Sequence, residues 1–125
     1  MHVCRVLSRW LEERRPSLFH AVSNFNLPLK QTPGVPYVLT VHDLVPLLLP
    51  ETVSTAFRWQ FRLWLARSLE VAQQVIAVTD SSKFGRMCLH KIIDLDEVDV
   101  LITDTGAQES ALQAIRKRDI EVIAV

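Results

Sequence analysis

The sequence predicts an α/β protein: a single three-layer unit of Rossmann-like or flavodoxin-like kind, with a mainly parallel sheet of about five strands. Short β-branched runs, YVLTV, VIAV, DVLIT and EVIAV, recur along the chain. Stretches of roughly ten to twenty residues with helical character separate several of them, the length a parallel crossover needs. A length of 125 residues suits one domain with a real core and is too short for two.

The elements follow in order. Val3, Val6, Leu7, Trp10 and Leu11 recur at three- and four-residue steps, so residues 3–15 read as an amphipathic helix stopped by Pro16. LFHAV, residues 18–22, reads as a short buried strand. Residues 23–36, SNFNLPLKQTPGVP, carry the Asn, Pro and Gly of a loop. Tyr37 to Val41 form a β-branched strand ending in the polar His42 and Asp43.

Beyond a proline-bounded connection, Ser54 can cap a long helix whose Phe57, Phe61, Trp64, Leu65, Leu69 and Ala72 share one stripe, read as core. VIAV is the next strand, and a helix is expected from Ser82 to about Ile92. DVLIT, residues 99–103, is another strand, residues 107–118 another helix, and EVIAV the last strand. A chain that opens on a helix and closes on a strand is expected to continue at one or both ends.

With 49% hydrophobic and 22% charged residues the composition is that of a soluble globular protein. Lys plus Arg equals Asp plus Glu at 14 each, so no overall field gathers nucleic acid or an anionic membrane, and no nucleic-acid partner is expected of this chain alone. The groups Arg5, Arg9, Arg14, Arg15 and Arg58, Arg62, Arg67 are spaced like solvated helix faces. Cys4 and Cys88 lack any partner spacing, so neither a disulfide nor a metal site is supported. LVPLLLP, residues 44–50, is too short and too proline-rich for an integral membrane segment. The N-terminus turns charged too early for a secretory signal, and a cytoplasmic protein is expected.

In an open parallel sheet, ligands bind beyond the carboxyl ends of the strands. Those ends carry Ser23 and Asn24, His42 and Asp43, Thr79 to Lys83, and Thr103 to Gly106. Asp80, Ser81, Ser82 and Lys83 combine helix-start hydroxyls and N–H groups with one ammonium, which suits phosphate; a plain helix cap beside a solvated lysine explains them as well. His42 could orient a sugar hydroxyl, with Asp43 fixing its tautomer, although adjacent residues of an extended chain point opposite ways and Asp43 equally suits an Asx-type turn. Asp104 and Gly106 resemble a turn after a buried strand, with Gly106 expected at positive φ. No GxGxxG, P-loop, HExxH or GxSxG is present, and no cofactor is implied.

Two resemblances meet in this chain. From about Arg9 to Lys83, LFHAVSNFNLPL, PYVLTVHDLVPLLLPE and AQQVIAVTDSSK resemble the N-terminal domain of family-4 glycosyltransferases. That resemblance implies an acceptor-binding domain facing a nucleotide-sugar domain, with His42 as a cleft and candidate catalytic residue and Ser23, Asn24 and Asp43 on the acceptor-side loops. From about Val75 to Val125, VIAVTDSSKFGR and DVLITD resemble the C-terminal half of the sugar-phosphate sensor of DeoR-type repressors. That resemblance implies a phosphosugar pocket with Asp80, Ser81, Ser82 and Lys83, and Asp104 near it.

The shared strand and turn make the chain read as a fusion within one α/β domain, residues 1–79 of glycosyltransferase type and 80–125 of sensor type. Whether the fusion is natural or engineered is left open by the residues, as is a chimera with no activity. The partner implied is a sugar nucleotide or a sugar phosphate. The glycosyltransferase part lacks its nucleotide-sugar domain and the sensor part its winged helix, so a missing second domain is expected, and no transfer by this chain alone.

Overall fold

A computed structural model describes residues 2–24, 26–42, 53–83 and 95–125. The expected helix from Ser82 to Ile92 falls almost wholly outside them, as do Asp43 and Cys88, and the side chains of Cys4 and Lys83.

Helix α1 spans His2–Arg14, then come strands β1 (Phe19–Ala21) and β2 (Tyr37–Val41). Helix α2 (Thr55–Val71) precedes β3 (Gln74–Val78), and β4 (Val100–Thr103), helix α3 (Glu109–Arg116) and β5 (Glu121–Ala124) follow. One-turn 3₁₀ segments lie at Ser81–Lys83 and Leu95–Glu97. All five strands are parallel, in the spatial order β1-β2-β3-β4-β5. Chain order and spatial order coincide, so the described sheet has no point at which strand order reverses. Right-handed crossovers that always step the same way place their helices on one side.

Packing agrees with that rule. Register pairs Ala21 with Leu39, Leu39 with Val75, Val41 with Ala77 and Ala77 with Leu101, so these side chains share one face. They form the core cluster together with Leu11 of α1 and Phe61 and Leu65 of α2, and Ile115 of α3 packs against it. Every residue of β2 is buried. On the second face Thr40 is buried too, and its hydroxyl meets His20 Nε2 at 2.7 Å.

Local chemistry fixes the boundaries. The Ser54 hydroxyl accepts from the Phe57 N–H at 3.2 Å, capping α2 as its sequence predicts. The loop into β2 is pinned by Tyr37, which is fully buried. Its hydroxyl donates to Thr32 Oγ1 at 2.8 Å and accepts the Thr32 N–H at 3.0 Å. The strand's first N–H donates to Gln73 Oε1 at 2.5 Å, tying β2 to the entry of β3.

The stripe expected of α2 is only partly its core face. Phe61 and Leu65 are buried and Trp64, Leu69 and Ala72 half-buried, but Phe57 is exposed, and Ser68 and Val71 are buried in addition. The buried side of the helix thus extends to Ser68, which is 1% exposed. Phe57 instead packs beside Phe61 near the first turn, ring centroids 6.3 Å apart.

Candidate functional site

Parallel strands end along one rim, and the register sets which ends are level. Val41 pairs with Ala77 and Val78 with Ile102. The polar tips fall into two clusters, one beyond β1 and β2 and one beyond β3 and β4.

At the first, the His42 N–H donates to Asn24 Oδ1 at 2.9 Å, and His42 Nε2 lies 2.9 Å from the Val22 carbonyl. A carbonyl only accepts, so Nε2 carries the hydrogen. In the neutral ring the lone pair is therefore on Nδ1. Asn26 Nδ2 donates to Ser23 Oγ at 2.5 Å, folding the loop after β1 back on itself. Ser23, Asn24 and His42 are thus brought together on neighbouring strand ends.

At the second cluster Asp104 binds two segments at once. Its Oδ1 accepts the Ser81 N–H at 2.5 Å, and its Oδ2 accepts the Gly106 N–H at 3.0 Å. Hydrogen bonds from Ser81, the hydroxyl first and then the backbone N–H, hold the Asp104 carboxyl below its ordinary range, with the Gly106 N–H adding to them and partial desolvation opposing. Asp80 Oδ1 accepts the Ser82 N–H at 3.0 Å and also the Ser82 hydroxyl. The N–H groups of Ser81 and Ser82 thus already face carboxylates of the same chain. Lys83 ends this turn.

Gly106 does not take the positive φ expected from the sequence; among the described glycines only Gly34 does, at 79°. Crowding is what calls for glycine here. A Cβ at position 106 would lie 2.8 Å from both Asp104 Oδ2 and Ser81 Oγ, closer than such contacts run. Spacing alone hides the Asp104 clamp, because Ser81 and Asp104 are joined only once β3 and β4 pair. The Thr103 hydroxyl is buried at the end of β4 with no hydrogen-bond partner among the described residues. No group of metal-ligating side chains occurs among the described residues, and no helix there is long and apolar enough to cross a membrane.

Two families match this chain, and their matches overlap over residues 65–83, which include β3 and the turn after it. The DeoR C terminal sensor domain family matches residues 65–105. An Escherichia coli O157:H7 protein named as a transcriptional repressor of the aga operon is 51% identical over 59 residues, which cover 47% of this chain and 22% of that protein. An uncharacterised HTH-type transcriptional regulator of Bacillus subtilis is 34% identical over 73 residues, 58% of this chain and 28% of its own length. An HTH-type regulator of Haemophilus influenzae is 33% identical over 57 residues. The chain therefore spans between 22% and 28% of these relatives. No solved structure matches. The glycosyl transferase 4-like domain family matches residues 1–83 of the 125, taking in α1, β1, β2, α2, β3 and the turn after it. By that match the chain belongs to the glycosyl transferase 4-like family.

Proposed function

We propose that this chain is the acceptor-side domain of a glycosyltransferase and that, by itself, it binds a sugar-bearing acceptor without transferring to it. The observation that carries this is the His42 arrangement. Val22 and Asn24 hold the ring and backbone of His42 at the carboxyl end of β2, inside the region matched to the glycosyl transferase 4-like family. Its Nδ1 lone pair is suited to accept the proton of an acceptor hydroxyl, the role of a general base once a donor is present. Ser23 supplies a further hydroxyl on the neighbouring loop. A single sheet offers one wall of a cleft; transfer between two substrates needs a second wall holding the nucleotide sugar.

A second reading is supported by a separate observation, the closure of the Asp80 to Lys83 turn onto Asp104 within the segment similar to the DeoR sensor domain. Here the chain is a sugar-phosphate-binding module. With Asp80 and Asp104 filling the Ser81 and Ser82 N–H groups, the two carboxylates suit sugar hydroxyls, and Lys83 supplies the charge for phosphate.

Thermal unfolding against separate panels of nucleotide sugars, sugar acceptors and sugar phosphates tests both readings, because a ligand that binds only the native state raises Tm by mass action. The first reading expects a shift with acceptor sugars that His42→Ala removes, and no turnover of nucleotide sugars. The second expects a shift with sugar phosphates that Lys83→Ala removes. Turnover by the isolated chain, or an acceptor shift indifferent to His42→Ala, overturns the first. A phosphate shift indifferent to Lys83→Ala overturns the second.

A further inference from the structure

Between α1 and β1 the chain runs Arg14, Arg15, Pro16, Ser17, Leu18. Arg14 is the last residue of α1, and Arg15 leaves helical geometry at a φ of 42°. The Arg15 N–H still donates to the Leu11 carbonyl, but Pro16 has no N–H with which to continue the helix. The next backbone tie, from the Phe19 N–H to the Pro36 carbonyl, comes at the start of β1. Arg14, Arg15 and Ser17 are exposed, and Leu18 is 51% exposed. The stretch is therefore open to another protein, and only the last turn of α1 must loosen for Arg14 to join it, as helix ends readily do.

Its polar groups are uncommitted. Arg9 is paired with Glu13, Arg67 with Glu70, Arg116 with Glu109 and Arg118 with Asp96, whereas Arg14 and Arg15 have no acidic partner among the described residues. The Ser17 hydroxyl likewise makes no hydrogen bond among the described residues. Other serines are engaged: Ser23 accepts from Asn26, Ser54 caps α2, Ser68 is buried, and Ser82 donates to Asp80. Ser17 thus combines a free hydroxyl with two free guanidinium groups just before it and an exposed apolar side chain just after it.

We propose that Ser17 is a phosphorylation site for an arginine-directed serine kinase, one whose substrate groove offers carboxylates to Arg14 and Arg15 and an apolar pocket to Leu18. Kinases select substrates by charge pattern, and a guanidinium fork matches a carboxylate in two parallel hydrogen bonds. In the transfer, Ser17 Oγ bonds to the γ-phosphorus of a nucleoside triphosphate as the bond from that phosphorus to the bridging oxygen breaks. The hydroxyl proton passes to the kinase's base and the nucleoside diphosphate leaves. The product carries about two negative charges at neutral pH beside two unpaired guanidinium groups, which are suited to hold it. Ser17 precedes β1, whereas the polar rim lies beyond the carboxyl ends of the strands, so its modification is independent of which sugar ligand the rim takes.

Incubation of the full chain with adenosine triphosphate and the catalytic subunit of cyclic-AMP-dependent protein kinase, an arginine-directed enzyme, tests it, with an acid-directed casein kinase as the comparison. Phosphate mapped to Ser17 by mass spectrometry is expected with the first enzyme and none at Ser17 with the second. Ser17→Ala should abolish that phosphate, and Arg14→Gln and Arg15→Gln should each lower kcat/KM at least about tenfold, the loss expected for a hydrogen-bonded charge. All three positions are exposed, and far-ultraviolet circular dichroism verifies that the variants fold. Absence of phosphate at Ser17 in the folded chain overturns the proposal, including the case in which a peptide of residues 11–21 is modified and the folded chain is not. A kcat/KM unchanged in both arginine variants also overturns it.

Discussion

Replacing Tyr37 with Phe removes one oxygen atom from the best-buried side chain of the β1–β2 junction. The ring can stay where it is, edge-on to Phe19 with centroids 5.8 Å apart, so packing is conserved and the change isolates the hydroxyl. That hydroxyl serves Thr32 twice, as donor to Oγ1 and as acceptor of the N–H. Thr32 is itself buried, so neither of its groups regains water when the hydroxyl goes. An orphaned buried polar group costs about 1–3 kcal/mol. A loss of about 2 kcal/mol is therefore expected, toward the middle of that range because the loop can relax slightly. In urea, with an m-value of about 1–3 kcal/mol per molar, the midpoint should fall by about 1 M with the slope unchanged. Thr32→Val removes the other end of the same bond, so the double variant should be less destabilised than the sum of the two singles. A Tyr37→Phe midpoint equal to wild type, or an additive cycle, would refute the claim that this pair pins the loop on which Ser23 and Asn24 are carried.

Further expectations concern the second cluster and the core. Gly106→Ala places a Cβ against the Asp104 carboxylate and the Ser81 hydroxyl, so those side chains must shift and the clamp loosens; faster amide exchange at Ser81, with the β2 amides unchanged, is the expected signature. Asp104→Asn should lower stability at neutral pH. The folded-state carboxyl of Asp104 is held below its ordinary range, so its contribution is present above that range and is lost as the pH falls through the folded value. The gap in Tm between wild type and Asp104→Asn should accordingly close in acid, and a gap that widens there would contradict the clamp. Leu39→Ala and Leu101→Ala, both essentially buried in the core cluster, should each cost about 2–5 kcal/mol, measured by urea unfolding followed by circular dichroism.

Much of the fold is legible in the residues because its strands are short apolar runs bounded by punctuation. YVLTV maps onto β2 residue for residue, and Ser54 caps α2 where a hydroxyl before an apolar repeat should. The core side of α2 was legible at Phe61 and Leu65; the burial of Ser68 was hidden, since a serine does not register in an apolar repeat. Gly106 illustrates a second limit. A glycine after a strand suggests a turn with positive φ, whereas its requirement here comes from Ser81, a residue on another strand's end. The Asp104 clamp and the Val22 carbonyl that orients His42 are likewise long-range consequences of strand pairing. The rim was legible as a set of polar strand ends; its division into two clusters depends on register, which a single sequence does not display.

Residues similar to two families share one continuous sheet across β3 and β4. The joint is explicit: Val75 N–H donates to Asp99 Oδ2 at 2.7 Å, the Asp99 N–H to the Val75 carbonyl at 3.0 Å, and the Thr79 N–H to the Ile102 carbonyl at 3.0 Å. Native-state hydrogen exchange measures it directly, because amides that open only on global unfolding report one common free energy. The core amides of β2, β3 and β4 are expected to exchange with the same opening free energy and the same denaturant dependence. Amides of β4 that exchange at a lower free energy than those of β2, with their own denaturant slope, would show two separately folding parts and contradict that expectation.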